Sequence, residues 1–495
     1  VTAANTAEHV QGTESSELDP KRWLALAIIA VAQLMVVLDA TIVNIALPHA
    51  QTALGISDAD RAWVVTAYTL TFGGLLLLGG RIADFWGRRR TFLLGIIGFA
   101  FASGLGGIAQ NGETLFAARA LQGAFGALLA PASLALLTTL FTEGRERARA
   151  FGVYGAIAGG GAAVGLILGG VLTEYLDWRW CLLVNIPIAL VAGAFGLRNL
   201  HESRAQGDTR YDIPGAVLIT LGLAGLVYGF TRAASDGWDS VGTWLFIGGS
   251  LVLIAGFVLV ELRTQHPLLP LRIVLDRTRG GAYLASLLTG AGLIGGTLFM
   301  TFYFQGVLLY SPVQAGLASL PITLGIFLAF PFATSLLTRL GPKPLMATGS
   351  FLGAAGLLLF TRIGVTNEFW TTAFPAELVM GLGLGLIFVP LGNVALSGVD
   401  PHDAGAAGAV VSASQQVGGS LGTALLSTIA VSALTSYLGS HDPSSPVTQL
   451  AAAVHSYRVG FAWGAAFMVV AGIAILALVK GGSIETDSDA PVHIG

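Results

Sequence analysis

The chain of 495 residues holds a single cysteine, Cys181, and only three lysines among its 25 basic residues. One thiol excludes a disulfide framework and a cysteine-based zinc site. Charged residues make up 11% of the chain, against about 25% in soluble proteins. The 25 basic and 28 acidic residues give a net charge of −3, so no basic domain is available for nucleic acid. No GxxxxGK[ST] loop occurs, which excludes a phosphate-loop ATPase engine. No span or loop pairs a nucleophile with a base, and no histidine cluster has metal-ligand spacing. An enzyme is therefore not expected.

What the chain has in excess is apolar length. Hydrophobic residues are 54% and mean hydropathy is +0.75. Glycine, at 67 residues, is about twice its usual share, as suits close packing of helices in lipid. Residues 1–20 are polar and read as a soluble tail rather than a cleavable signal. Apolar runs long enough to cross a bilayer fall at 22–47, 62–80, 91–110, 114–140, 150–172, 178–198, 214–232, 243–262, 280–307, 313–338, 344–362, 370–397, 405–435 and 456–479. The expected fold is an all-α polytopic membrane protein with 14 transmembrane helices. Continuous runs without two-residue alternation exclude a β-barrel.

Basic residues set the expected orientation. With the N-terminus inside, 19 lie on the inner side, 5 on the outer side, and Arg119 lies within a span. An even number of spans then puts both termini in the cytoplasm. A faint internal repeat relates GRIADFWGRRR (80–90) to TSLLTRLGPKP (334–344), aligning Gly87 with Gly341 and Arg89 with Lys343. Both follow the second helix of an expected six-helix unit, a parallel-repeat pattern of transporters. The expected division is a tail (1–21), a six-helix bundle (22–198), a linker with two inserted helices (199–262), a second six-helix bundle (263–479) and a tail (480–495).

Three ionisable residues sit clearly within spans: Asp39, Arg119 and Glu377. Such residues are costly in lipid and usually face the bundle interior. At about 1.5 Å per residue all three fall in the outer half of the bilayer.

Several stretches resemble the major facilitator superfamily, specifically its fourteen-span drug:proton antiporter branch, over nearly all of 22–480. LDATIVNIALP (38–48) looks like that branch's first-helix signature, and GRIADFWGRRR like the loop signature of the whole superfamily. RALQGAFGALLAP (119–131) looks like the fourth-helix signature, and the glycine ladder Gly152, Gly161, Gly165, Gly169 and Gly170 like the fifth-helix antiporter signature. YFQGVLLYSPVQAGLASLP (303–321) and SQQVGGSLGTA (414–424) are also similar. Two positions depart from the pattern: Leu166 stands where the antiporter signature has proline, and Phe85 where the loop signature has a basic residue.

The resemblance implies a major facilitator fold of two six-helix bundles plus two inserted helices, working by alternating access. It implies proton-coupled efflux of lipophilic, cationic drugs or antibiotics across the bacterial cytoplasmic membrane. No cofactor is expected beyond the proton gradient, and the chain is expected to act as a monomer in the lipid bilayer. Asp39 and Arg119 are the expected pair between spans 1 and 4, with Asp39 taking up the proton and Glu377 as a second protonatable site or an anchor for a cation. Asp84, Gly87, Arg88 and Arg89 are expected to latch the inner side. Gly161, Gly165, Gly169 and Gly170 are expected to form a pliable hinge between the halves. Asn44, Gln122, Tyr303, Phe304, Gln305, Asn393 and Gln415 are the candidate substrate contacts. The alternatives are export of one metabolite, lipid, amino acid or siderophore on the same fold, or a non-transporting sensor.

Overall fold

The computed structural model describes residues 21–141, 144–204, 212–264, 267–269, 271–366, 368–397, 399 and 404–481. Most of both expected tails lies outside the described residues. Among the described residues there is no strand. Among the described residues thirteen helices are long and apolar enough to cross a membrane. A further one, Gly144–Tyr175, occupies the fifth place in the order and contains the shorter apolar stretch Gly160–Tyr175.

In chain order the long helices are α1 (Arg22–Leu54), α2 (Trp63–Trp86), α3 (Arg88–Gly107), α4 (Gly112–Leu140), α5 (Gly144–Tyr175) and α6 (Trp180–Asn199). Then come α7 (Ile213–Asp236) and α8 (Val241–Arg263). The series ends with α9 (Arg277–Val307), α10 (Pro312–Leu340), α11 (Pro342–Phe360), α12 (Ala373–Leu396), α13 (Ala404–Gly439) and α14 (Pro446–Leu478). We call the end that carries the α2–α3 loop the basic end and the opposite one the far end.

Several helices overrun the expected spans, α1 and α14 among them, because caps rather than apolarity end a helix. α1 continues past 47 to Leu54 and stops at Gly55, whose φ of 64° lets its N–H bond back to Gln51 O. α14 begins at Pro446, ten residues before the expected 456, where Pro at N1 needs no N–H partner. α9 is α-helical to Phe302 and closes in a π turn over Tyr303–Val307. α10 opens with a capping box, in which Ser311 and Gln314 each accept the other's backbone N–H.

α1–α6 pack around one buried core and α9–α14 around another, with the second core reaching α1, α2 and α4 at the far end. α7 lies along α2 and α13: Leu223 and Val227 pack with Leu70, Val417 and Ala424, and Thr428 Oγ1 donates to Phe230 O at 2.8 Å. α8 packs on α7, with most of its surface facing outward.

The far ends of the two bundles are closed on each other. Glu174 on α5 accepts the backbone N–H of Val313 at the start of α10, at 3.0 Å. Gln305 Nε2 on α9 donates to Ile45 O on α1 at 2.9 Å. The Arg61 guanidinium, ahead of α2, stacks 4.0 Å from the Phe302 ring centroid on α9.

Candidate transport site

Asp39 lies near the middle of α1 and Arg119 in the second turn of α4. Their side chains meet at 2.6 Å, with relative exposures of 0% and 2%. Three further helices, α2, α3 and α6, complete the cluster around them. Asp39 Oδ1 accepts from Gln122 Nε2 at 2.9 Å and from Asn185 Nδ2 on α6 at 2.7 Å. Ser103 on α3 receives Gln122 Nε2 at 2.7 Å and Asn185 Nδ2 at 3.3 Å. Arg119 also donates from Nε to Val64 O on α2 at 3.0 Å and from Nη1 to Gln122 Oε1 at 2.9 Å, and its guanidinium lies 4.5 Å from the Tyr68 ring centroid. A buried ion pair recovers its desolvation cost only when such additional hydrogen bonds surround it. Asn185 Oδ1 and Tyr68 Oη remain buried without a hydrogen-bond partner.

Sequence reasoning paired Asp39 with Arg119 but missed Ser103 and Asn185, which are neutral residues on other helices. Gln122, expected to contact substrate, is fully buried in this cluster. The physical reason is helical spacing: three residues after Arg119, it shares the face that meets α1. Glu377, on the first turns of α12, is also fully buried but belongs to the other bundle.

At the basic end Asp84 accepts from Arg88 Nη2 at 3.0 Å, a contact within its own bundle. The acid at the start of α3 is Glu202, which the sequence reading did not single out. Its carboxylate accepts the backbone N–H of Arg89 at 3.1 Å and of Arg90 at 3.2 Å, where the helix dipole favours an anion. Arg89 Nη2 donates to Leu197 O at 2.7 Å. Gly87 has φ 126° and presses against the Glu202 carboxyl, so only glycine fits there.

The fifth-helix glycines divide by face, which corrects the expectation that all of them pack between the halves. Gly161, Gly165 and Gly169 lie against α1, at Leu34 and Val37, at Thr41 and Leu38 O, and at Ile42. Their four-residue spacing puts them on one stripe. Gly170, one residue further round, lies against the backbone of Pro312 and Val313 on α10 and does face the other half. The backbone of Leu166, the residue that replaces the signature proline, packs against Gly316 of α10.

A profile of the Major Facilitator Superfamily matches residues 29–423. The chain belongs to the Major Facilitator Superfamily. It is 50% identical over 480 residues to a puromycin resistance protein of Streptomyces alboniger, covering 96% of this chain and 95% of that protein. It is 38% identical to a cephamycin export protein of Amycolatopsis lactamdurans, covering 82% and 84% of the two chains. It is 34% identical to a tetracenomycin C resistance and export protein of Streptomyces glaucescens, covering 86% and 78%. The crystal structure of the POT family transporter PepTSo shares the fold, with a TM-score of 0.68 over 92% of this chain and 97% of that one at 16% identity. The protein is thus a multi-pass membrane transporter and not an enzyme.

The remaining expected substrate contacts of this superfamily member are spread along its length. Tyr303 and Phe304 are buried at the far end. The Tyr303 hydroxyl donates to Gly364 O at 3.0 Å, and the Phe304 ring stacks on Tyr310 with centroids 6.1 Å apart. Gln305 is spent on the contact with Ile45 described above. Asn44 on α1 and Gln415 on α13 are half-buried, whereas Asn393, near the basic end of α12, is exposed. These residues do not converge on one pocket in this conformation. Glu261, near the end of α8, is a further buried acid that the span reading passed over, and it accepts the N–H groups of Leu268 and Leu269.

Proposed function

We propose that this transporter exports small lipophilic, cationic antibiotics across a bacterial cytoplasmic membrane in exchange for protons. It works as a monomer without a cofactor, with the basic end and both termini in the cytoplasm. The observation that carries the reading is the Asp39–Arg119 pair, fully enclosed within a chain half identical to a puromycin resistance protein. A cation and an anion with three further polar partners are an expensive way to hold two helices together. Such buried groups in membrane proteins usually carry a proton or ion pathway. Family kinship with proteins named for cephamycin and tetracenomycin export supports antibiotics as the substrate class.

The local chemistry supports a switch. A proton added to Asp39 turns an acceptor into a donor and removes the counter-charge from Arg119. The unpartnered Asn185 Oδ1 sits on the same amide that now donates to Asp39. Rotating that amide would let it accept the new proton. Arg119 is then left with Gln122, Val64 O and the Tyr68 ring, and α1 is free to move against α4. The closed far end supports reading this conformation as one of the two states that alternating access requires.

The test uses proteoliposomes with an imposed pH gradient, to which puromycin or ethidium is added while proton release is recorded. Release is expected in wild type and absent in Asp39→Asn. Equal release by both would remove Asp39 from the coupling.

A further inference from the structure

The two bundles are built on the same helix crossings. On α4, Gly123 lies against the backbone of Tyr68 and Phe72 of α2, and Leu129 lies against Gly95 of α3. On α12, Gly381 lies against the backbone of Ile322 and Gly325 of α10, and Ile387 lies against Gly349 of α11. Six residues separate the two crossings in each helix, and Gly95 and Gly349 each follow Gly87 and Gly341 by eight. Gly87 and Gly341 both have positive φ, 126° and 76°. In this register Arg119 and Glu377 are equivalent, each four residues before its crossing glycine.

One repeat position therefore carries opposite charges in the two halves, with opposite surroundings. Arg119 is met by Asp39 and Gln122, and Gln122 by Ser103. The equivalents of Gln122 and Ser103 beside Glu377 are Met380 and Leu357, both buried and apolar. The Glu377 side chain is fully buried and neither carboxyl oxygen has a hydrogen-bond partner.

The helices packed against α12 are α9, α10, α11 and α13. On the first three, Arg277, Arg279, Arg339 and Lys343 all stand at the basic end, away from Glu377, and α13 carries no charged residue. Tyr283 stands near the basic end of α9 and Tyr437 near the far end of α13. Tyr303, on α9, donates its hydroxyl proton to Gly364 O. Arg362 and Glu368, in the loop before α12, are exposed.

We infer that Glu377 carries a proton in this conformation and is a second proton-binding position of the exporter, the counterpart in the second half of Arg119. The inference rests on the proton-exchange reading for its role in transport, but not for its protonation. As a carboxylate the group would be an unpaired charge away from water, the arrangement a protein interior tolerates least. As the acid it is neutral. A drug-sized cation would need a cavity to reach it, whereas a proton needs none. Glu377 is the fifth residue of α12 counted from the far end, so water admitted when that end opens would meet it first.

The test is infrared difference spectroscopy of the purified full-length protein in lipid at neutral pH, comparing wild type, Glu377→Gln and Asp39→Asn. The wild type minus Glu377→Gln difference spectrum is expected to show the carbonyl stretch of a protonated carboxylic acid, and Asp39→Asn is expected to retain that component. Glutamine copies the shape of the neutral acid, so the variant is expected to fold, which thermal unfolding in detergent checks. Absence of that component from the difference spectrum of folded Glu377→Gln would overturn the proposal. So would full proton release per substrate by that variant in the proteoliposome assay. Asp39→Asn reports on the first site alone, because its effect on release leaves the Glu377 band in place.

Discussion

Asn185 and Asp39 are 146 residues apart in sequence, yet the Asn185 amide donates to the Asp39 carboxylate at 2.7 Å inside the first bundle. That bond ties α6 to α1 at the depth where α4 presents Arg119. Three helices thus share one anion, and a change in its charge is felt by all three.

Asp39 and Arg119 are expected to be strongly coupled in stability. Removing one member leaves the other as an uncompensated buried charge, at a cost of about 3–5 kcal/mol. Arg119→Ala should therefore lower the yield of folded protein sharply. Asp39→Ala combined with Arg119→Ala should recover much of it while transport stays absent. A double-mutant cycle on thermal unfolding checks this, and additive losses would show that the pair does not act as a unit.

Glu202 and Gly87 together set the start of α3, and both are expected to matter more than the arginines beside them. Glu202→Gln removes the anion from the helix N-terminus, costing about 1 kcal/mol. Gly87→Ala forces a Cβ into a φ of 126° and into the Glu202 carboxyl, costing about 1–3 kcal/mol. Unfolding midpoints should fall in the order wild type, Glu202→Gln, Gly87→Ala. An unchanged midpoint in Gly87→Ala would mean that the loop relaxes freely.

How much of this was legible in the sequence depends on the range of the interaction. Hydropathy placed the spans because each helix buries its own backbone polar groups and needs only apolar length. It misjudged the ends of α1 and α14 because Gly55 and Ser445-Pro446 stop and start those helices beyond the apolar run. Asp39 and Arg119 stood out because charge is rare in a span. Asn185 and Ser103 did not, because nothing local distinguishes a polar residue that bonds across the bundle from one that faces lipid. The Gly87 to Gly341 repeat was visible as a motif, but the equivalence of Arg119 with Glu377 needed the helix crossings. The chain from Gly349 to Gly381 is four residues longer than that from Gly95 to Gly123, which hides the register.

The pair between Arg22 and Glu146 should give the basic end a measurable pH response. Glu146 lies on the first turn of α5, ahead of the apolar stretch Gly160–Tyr175. Arg22 donates to it from Nε at 2.8 Å and from Nη2 at 2.9 Å, and those bonds hold the Glu146 carboxyl below the usual range. A lowered carboxyl contributes stability that is present above the ordinary carboxylate range and lost as pH falls through the lowered value. Wild type should lose this contribution on acidification, and Glu146→Gln should lack it at every pH. Parallel pH profiles of unfolding for the two proteins would remove the pair from the account.

The far-end closure is expected to depend on Gly170 and Glu174 more than on the glycines facing α1. A side chain at Gly170 would run into the backbone of Pro312 and Val313, and no rotamer change can clear a backbone. Gly170→Val should hold α5 away from α10 and shift the population toward a state open at the far end. Glu174→Gln should shift it less, since the neutral amide oxygen still accepts the Val313 N–H while the charge at the α10 N-terminus is lost. Gly165→Val meets Thr41 and Leu38 O within the same bundle and should cost stability without opening that end. Distances between spin labels at the far ends of α5 and α10 separate these outcomes. A longer distance is expected in Gly170→Val and an unchanged one in Gly165→Val. Equal distances in Gly170→Val and wild type would show that closure is set elsewhere, with the Arg61–Phe302 contact the next to test.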